Sequence, residues 1–265
     1  KEYRVHLRRK LLVGVLILGS ILIVSAVSLN TGAYGFEFSE MVAAAVGAGD
    51  EISRHIFWNI RLQQTAAALL AGACLGLAGA AMQNVLRNPL ASPFTLGISQ
   101  GAVFGAVFAI VVLGAGTAAV SATDQSFGTS PYVIIACAFA GSLMTVFILI
   151  MLSSLRRLSP GALILAGVAL SALFGSATMF LQYFASDVEI ASAVFWTFGD
   201  VRKAQWPELG VITIALVPMI LYFGGHSWHF NAMVWGDDTA ASLGVSVHRL
   251  RLMSLVLAAL GASVT

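Results

Sequence analysis

Hydrophobic residues in this chain come in long unbroken runs, separated by short stretches where charge, proline and glycine collect. A helix needs about 20 apolar residues to cross a bilayer. Such runs lie near residues 11–29, 65–85, 97–115, 132–152, 162–184 and 209–224, and a seventh starts near 252. The pattern predicts an all-α polytopic membrane protein. The last run is cut at Thr265 and the chain begins on Lys1 rather than methionine, so we read six complete transmembrane helices and a truncated seventh. The basic stretch KEYRVHLRRK ahead of the first run resembles the start of a signal peptide. The run itself is about 19 residues long and SAVSLNTGAYGF is a poor cleavage site, so a retained helix is the better reading.

Composition strengthens this picture. Of 265 residues, 58% are hydrophobic and 10% charged, against roughly 25% charged in a soluble domain. The formal net charge of +2 is too small to argue for a nucleic-acid partner. Cys74 and Cys137 sit inside apolar runs and read as packing residues, with no disulfide framework.

Position gives the basic residues their meaning. With the N-terminus inside, the inner segments hold Lys1, Arg4, Arg8, Arg9, Lys10, Arg87, Arg156, Arg157, Arg249 and Arg251, and the outer ones Arg54, Arg61, Arg202 and Lys203. That asymmetry favours a cytoplasmic N-terminus. It places RNPLASP, LRRLSPG and the 225–251 loop in the cytoplasm.

The proposed spans contain no Asp, Glu, Lys, Arg or His. Proton-coupled carriers usually need an ionisable group within the membrane, whereas a sodium-coupled carrier can use the carbonyls of broken helices. An ion-coupled secondary transporter is therefore weakened as an alternative but stays open. A membrane-embedded enzyme needs a polar cluster, and the spans offer only scattered Gln83, Asn84, Gln100 and Gln182. None of the three lysines sits in a phosphate-binding loop, so uphill transport needs energy from another chain.

Glycines recur at three- and four-residue spacing, at Gly72, Gly76 and Gly79 and again at Gly97, Gly101 and Gly105, a pattern for close helix packing. The loop Met233–Met253 reads as a pair of short helices. Asp237 or Asp238 is expected to cap the first, Ala240, Ala241 and Leu243 to give it a small apolar surface, and Gly244 to end it. Ser246 is expected to start a second, running through His248, Arg249 and Arg251. Such a pair suits a groove on a soluble partner; an ordinary solvated loop is the alternative. The outer stretches Asp50–Ala67 and Val194–Trp206 read as interfacial anchors and an aromatic belt.

Four segments together resemble the FecCD/BtuC family of ABC transporter permeases. These are IRLQQTAAALLAGACLGLAGAAMQNVLRNPLASPFTLGISQGAVFGAV, LILAGVALSALFGSA, FWTFGDVRKAQW and VWGDDTAASLGVSVHRLRLM. The resemblance covers residues 10–265. It implies a type II ABC importer permease fold in one domain, residues 1–265, in the cytoplasmic membrane of a prokaryote. It further implies a homodimer or pseudo-dimer, two cytoplasmic ATPase subunits that hold ATP-Mg, an external substrate-binding protein, and no cofactor on this chain. The expected cargo is a metal chelate, foremost an iron(III)-siderophore, with haem, cobalamin and oxyanions such as molybdate open.

The resemblance also assigns residues. Asn88, Pro89 and Leu90 match the cytoplasmic gate, as do Pro160 and Gly161, where relatives carry small hydroxyl residues. Residues 225–251 match the coupling loop, with Gly236, Asp237, Asp238, Ala240, Ala241, Leu243, Gly244 and Arg249 facing the ATPase. Arg61 matches the first arginine of an R-L-P-R motif that docks the binding protein. Gln64 replaces the second arginine here, leaving Arg54, Arg202 or Lys203 to compensate.

Overall fold

The computed structural model describes residues 2–32, 35, 37–115, 131–156 and 160–265. Regular structure among them is helical throughout. The order is α1 Glu2–Asn30, α2 Phe38–Ala45, α3 Glu51–Ile56, one π turn at Phe57–Arg61, α4 Leu62–Val85, α5 Ile98–Val111 and α6 Pro131–Arg156. There follow α7 Pro160–Tyr183, α8 Asp187–Phe198, a 3-10 turn at Val201–Lys203, α9 Trp206–Gly225, α10 Ser227–Met233, α11 Asp237–Ser242 and α12 Val247–Val264.

Six of the described helices are long and apolar enough to cross a membrane: Arg8–Asn30, Glu51–Val85, Tyr132–Leu152, Pro160–Tyr183, Trp206–Gly225 and Val247–Val264. The third apolar run, expected as a full span over 97–115, forms only the 14-residue α5. At 1.5 Å per residue it covers about 21 Å, short of the roughly 30 Å hydrocarbon core. Its N-terminal boundary follows from the turns of residues 86–97, where Pro89 and Pro93 supply no amide hydrogen. The seventh helix begins earlier than expected, at Val247, and absorbs the second short helix anticipated there.

The described chain forms two compact units. In the first, residues 1–69 and 201–209, Met41, Ala44 and Phe57 build a small core with Leu29 and Leu62 packed against it. Trp58 Nε1 donates to the Ala44 carbonyl at 3.2 Å. Leu11, Leu16, Ile17, Leu22, Ile23 and Val27 along α1 are exposed, a surface suited to lipid.

The second unit, residues 70–200 and 210–265, has a core of Met82, Leu96, Ile98, Leu149, Leu163, Phe174, Met219 and Leu255. Glycines bring α5 against α6. A methyl group at Gly101 would meet the Gly141 carbonyl oxygen at 2.6 Å, and one at Gly141 would meet the Gly101 carbonyl carbon at 2.9 Å. Gly72, Gly76 and Gly79 differ, since each faces open space, so regular spacing marked a packed face in only one of the two helices. Buried hydroxyls satisfy themselves locally: Ser142 bonds the Ala138 carbonyl at 3.1 Å, Thr145 that of Gly141 at 3.1 Å and Ser254 that of Leu250 at 2.6 Å. In hydrocarbon this i−4 bonding removes polar groups that would otherwise need a partner.

The aromatic stretch Val194–Trp206 lies on regular structure in its first half. That half belongs to α8, whose start is a capping box in which the Ser186 amide donates to Glu189 Oε2 at 2.8 Å.

Candidate functional site: a cluster joining α4, α11 and α12

Two stretches of the sequence, 85–91 and 230–251, meet in the second unit. Val85, Ala232, Met233, Ala240, Val245 and Leu250 form a separate small core, with Tyr222, Phe230 and Val247 packed on it. This core fixes the short helices α10 and α11 to the first turn of α12 and the last turn of α4. Helices of seven and six residues have little stability of their own, so packing holds them.

The capping of α11 departs from expectation. Its N-cap is Gly236, while Asp237 and Asp238 occupy the first turn, where carboxylates complement the helix dipole. Gly236 has φ 112° and ψ 159°, a conformation open essentially to glycine alone. Gly244, at φ 84°, ends the helix, and Val245 N donates to the Ala240 carbonyl at 3.0 Å. Gly236→Ala should cost about 1–3 kcal/mol in backbone strain. A fall in the melting temperature of the purified protein is the expected reading, and an unchanged value would show that the loop relaxes freely.

Ala240 is fully buried and belongs to the core, so the expected apolar surface of α11 is made by Ala241 and Leu243. Val234 and Trp235 add to it, with Trp235 78% exposed. Asp238 and Arg249 are exposed beside them. Four exposed apolar side chains thus fall within residues 234–243, an apolar knuckle on a stretch that also exposes Asp238.

Asp237, with one-third of its side chain exposed, is engaged by two arginines. Arg251 Nη2 donates to its two carboxylate oxygens at 3.2 and 2.9 Å, and Arg87 Nη2 lies 3.5 Å from Oδ1. Arg251, 9% exposed, also directs Nε to the Val85 carbonyl at 3.4 Å. Neither arginine was among the expected site residues. For Arg251 the available signal was a basic residue at the edge of an apolar run, which needs a partner to be buried there.

The segment matched to the gate continues from Arg87, which takes the left-handed conformation with φ 48°. Asn88 Oδ1 accepts from the Leu90 amide at 2.8 Å, and the Ala91 amide donates to the Asn88 carbonyl at 3.1 Å. This asparagine turn holds Pro89 and Leu90 outward, Leu90 being 78% exposed. Pro160 begins α7, a favoured place for proline, and Gly161 faces open space. Residues 157–159 of the same segment lie outside the described residues.

The residues expected to dock a binding protein separate. Arg54 and Arg202 are exposed, and the side chain of Lys203 lies outside the described residues. Arg61, expected at the surface, is only 5% exposed. Its Nη1 donates to the carbonyls of Leu29 at 2.7 Å and Asn30 at 2.8 Å, the last residues of α1. The π turn at Phe57–Arg61 ends on this residue. The guanidinium therefore closes a helix terminus whose carbonyls have no partner within α1.

Six described helices long and apolar enough to cross a membrane define a polytopic membrane protein. The chain belongs to the FecCD transport family, whose model matches residues 20–265. It is 42% identical over its whole length to a protein of Methanocaldococcus jannaschii that carries the provisional name ABC transporter permease protein, and covers 75% of that relative. It is 32% identical over 209 residues to the vitamin B12 import system permease protein BtuC of Yersinia enterocolitica, a match that takes in 78% of this chain and 58% of BtuC. A solved structure described as an inward-facing conformation of an ABC transporter, provisionally of metal-chelate type, superposes with a TM-score of 0.78 at 26% identity. That match covers 97% of this chain and 74% of the other. The relatives are permease proteins, components of transport rather than enzymes.

Proposed function

We propose that this chain is the membrane-spanning permease subunit of an ATP-driven importer, working by alternating access in the cytoplasmic membrane of a prokaryote with its N-terminus inside. It pairs with a second permease, two ATPase subunits that carry ATP-Mg, and an external binding protein. The observation that carries this reading is the exposed knuckle of Val234, Trp235, Ala241 and Leu243, on a stretch anchored by the buried Ala232, Met233, Ala240 and Val245, in a chain of the FecCD transport family. An apolar surface of this kind on a loop between membrane helices suits the groove of a soluble partner. No cofactor is assigned to this chain.

The cargo we propose is an iron(III)-siderophore. Vitamin B12 and metal chelates, named for the relatives, are bulky organic complexes. A pathway for such a cargo works by shape and needs few polar groups. Self-satisfied hydroxyls such as Ser142 and Thr145 agree with that, and they leave an ion-coupled carrier without an obvious coupling group.

Purification of the full-length protein from its native membrane in mild detergent tests the assembly. An ATPase subunit at one-to-one ratio, and ATP-dependent uptake of a labelled ferric siderophore in proteoliposomes with the cognate binding protein, are expected. Uptake that needs an ion gradient and no ATP would overturn the importer reading. ATP-driven uptake of cobalamin or haem in preference to the siderophore would overturn only the cargo.

A further inference from the structure

The carboxylate of Asp237 is shared between two arginines from opposite sides of the cluster. Arg251 is the fifth residue of α12, and Arg87 comes from the turn that follows α4. Arg251 reaches further, to the carbonyl of Val85, the last residue of α4. One side chain thus touches α12, α11 and α4 together.

A methyl group at Gly236 would sit 3.5 Å from Arg87 Nη1, an ordinary van der Waals contact, so the guanidinium lies close to the start of α11 without depending on the missing side chain. Arg87 itself is the one described non-glycine residue at positive φ, and the next three residues are Asn88, Pro89 and Leu90. The left-handed backbone turns the arginine towards α11, while the asparagine turn behind it sets the direction of Leu90.

We propose that Asp237 is a positioning residue, an ionic clasp through which movement of α11 is delivered to the Asn88–Leu90 turn, and not a contact to the ATPase. The proposal rests on the ATP-driven importer reading above. Asp237 has its oxygens committed to two guanidinium groups, with one-third of the side chain exposed. Asp238 and the knuckle are what α11 leaves for a partner. Neutralising Asp237 removes the shared anion and leaves two positive groups side by side, so the clasp opens by repulsion as well as by loss of attraction.

The test compares the wild type, Asp237→Asn, Asp237→Glu, Arg87→Gln and the double variant Asp237→Asn/Arg87→Gln, each as the full-length complex in proteoliposomes. Co-purified ATPase, ATP hydrolysis and cargo taken up per ATP are measured. For Asp237→Asn we expect the ATPase subunit to remain at wild-type ratio and hydrolysis to continue. Uptake per ATP should fall about tenfold, within the usual range of coupling free energies. Asp237→Glu should recover most of the loss. The double variant should be no worse than the worse single one, as for residues acting through one contact.

Wild-type uptake per ATP in Asp237→Asn would overturn the clasp, as would additive losses in the double variant. Loss of the ATPase subunit from Asp237→Asn would overturn it differently, by moving Asp237 to the docking face. A wild type that holds no ATPase subunit and takes up cargo without ATP refutes the importer reading, and the clasp with it. Failure of the clasp alone is seen only where the wild type is ATP-coupled.

Discussion

Gly105→Val should leave little monodisperse protein in mild detergent, while Gly76→Val should behave as the wild type. A β-carbon at Gly105 would run into the Cys137 carbonyl oxygen, with the carbonyl carbon at 2.7 Å and Ala138 Cα at 3.1 Å. These are backbone atoms of α6, which cannot swing aside as a flexible side chain would. Helices in lipid gain no hydrophobic driving force from associating, so α5 and α6 depend on close van der Waals contact. Moving them apart also breaks the pair Gly101 and Gly141 one turn along. Overpacking typically costs about 1–3 kcal/mol and occasionally more, and the valine belongs at the upper end because it adds three carbons. Gly76 has nothing within 4 Å of the same added carbon. Size-exclusion profiles and melting curves of the two variants decide the matter, and equal behaviour would refute the close α5–α6 approach.

The contrast between these glycines shows what a pattern of spacing can carry. Periodicity locates a helix face, but which face meets another backbone depends on partners distant in sequence. The spans themselves were legible because a bilayer imposes length and apolarity locally. Where local signals competed the reading slipped. The aromatic residues of α8 drew the reading to an interface and away from its helix start, although Ser186 and Glu189 stood three residues apart as a capping box. The start of α12 was read near residue 252 because Arg251 looked like a loop residue, when Asp237 neutralises it inside the helix. Its other contact, to Val85, spans 166 residues of sequence. Residues 237–244 were recognisable as a short helix ended by glycine, yet the arginine contacts of Asp237 were not, since a carboxylate in a first helical turn suits the dipole equally well whether a partner or an arginine covers it.

Arg61 presents the same ambiguity at the other end of α4, and there its resolution has a large expected effect. An arginine flanking a membrane span is ordinarily an interfacial anchor, and the resemblance to R-L-P-R suggested docking. The structure turns its guanidinium onto Leu29 and Asn30, whose carbonyls belong to the end of α1. Hydrogen bonds from a charged donor contribute about 1.5–3 kcal/mol each. Arg61→Met keeps the length and apolar stem of the side chain but removes both, so a loss on the order of 3 kcal/mol is expected, partly offset by water reaching the carbonyls. It should appear as a lower melting temperature and faster proteolysis between α1 and α4, at low and high salt alike, because the contacts are short and buried. Arg54→Glu is the companion experiment. That side chain is exposed, so its reversal should spare stability and weaken capture of a binding protein in a salt-dependent way. A stable Arg61→Met protein with impaired, salt-sensitive capture would return the residue to the docking surface. The expected pattern instead assigns the two arginines separate duties, with Arg61 closing a helix and Arg54 left to meet a partner.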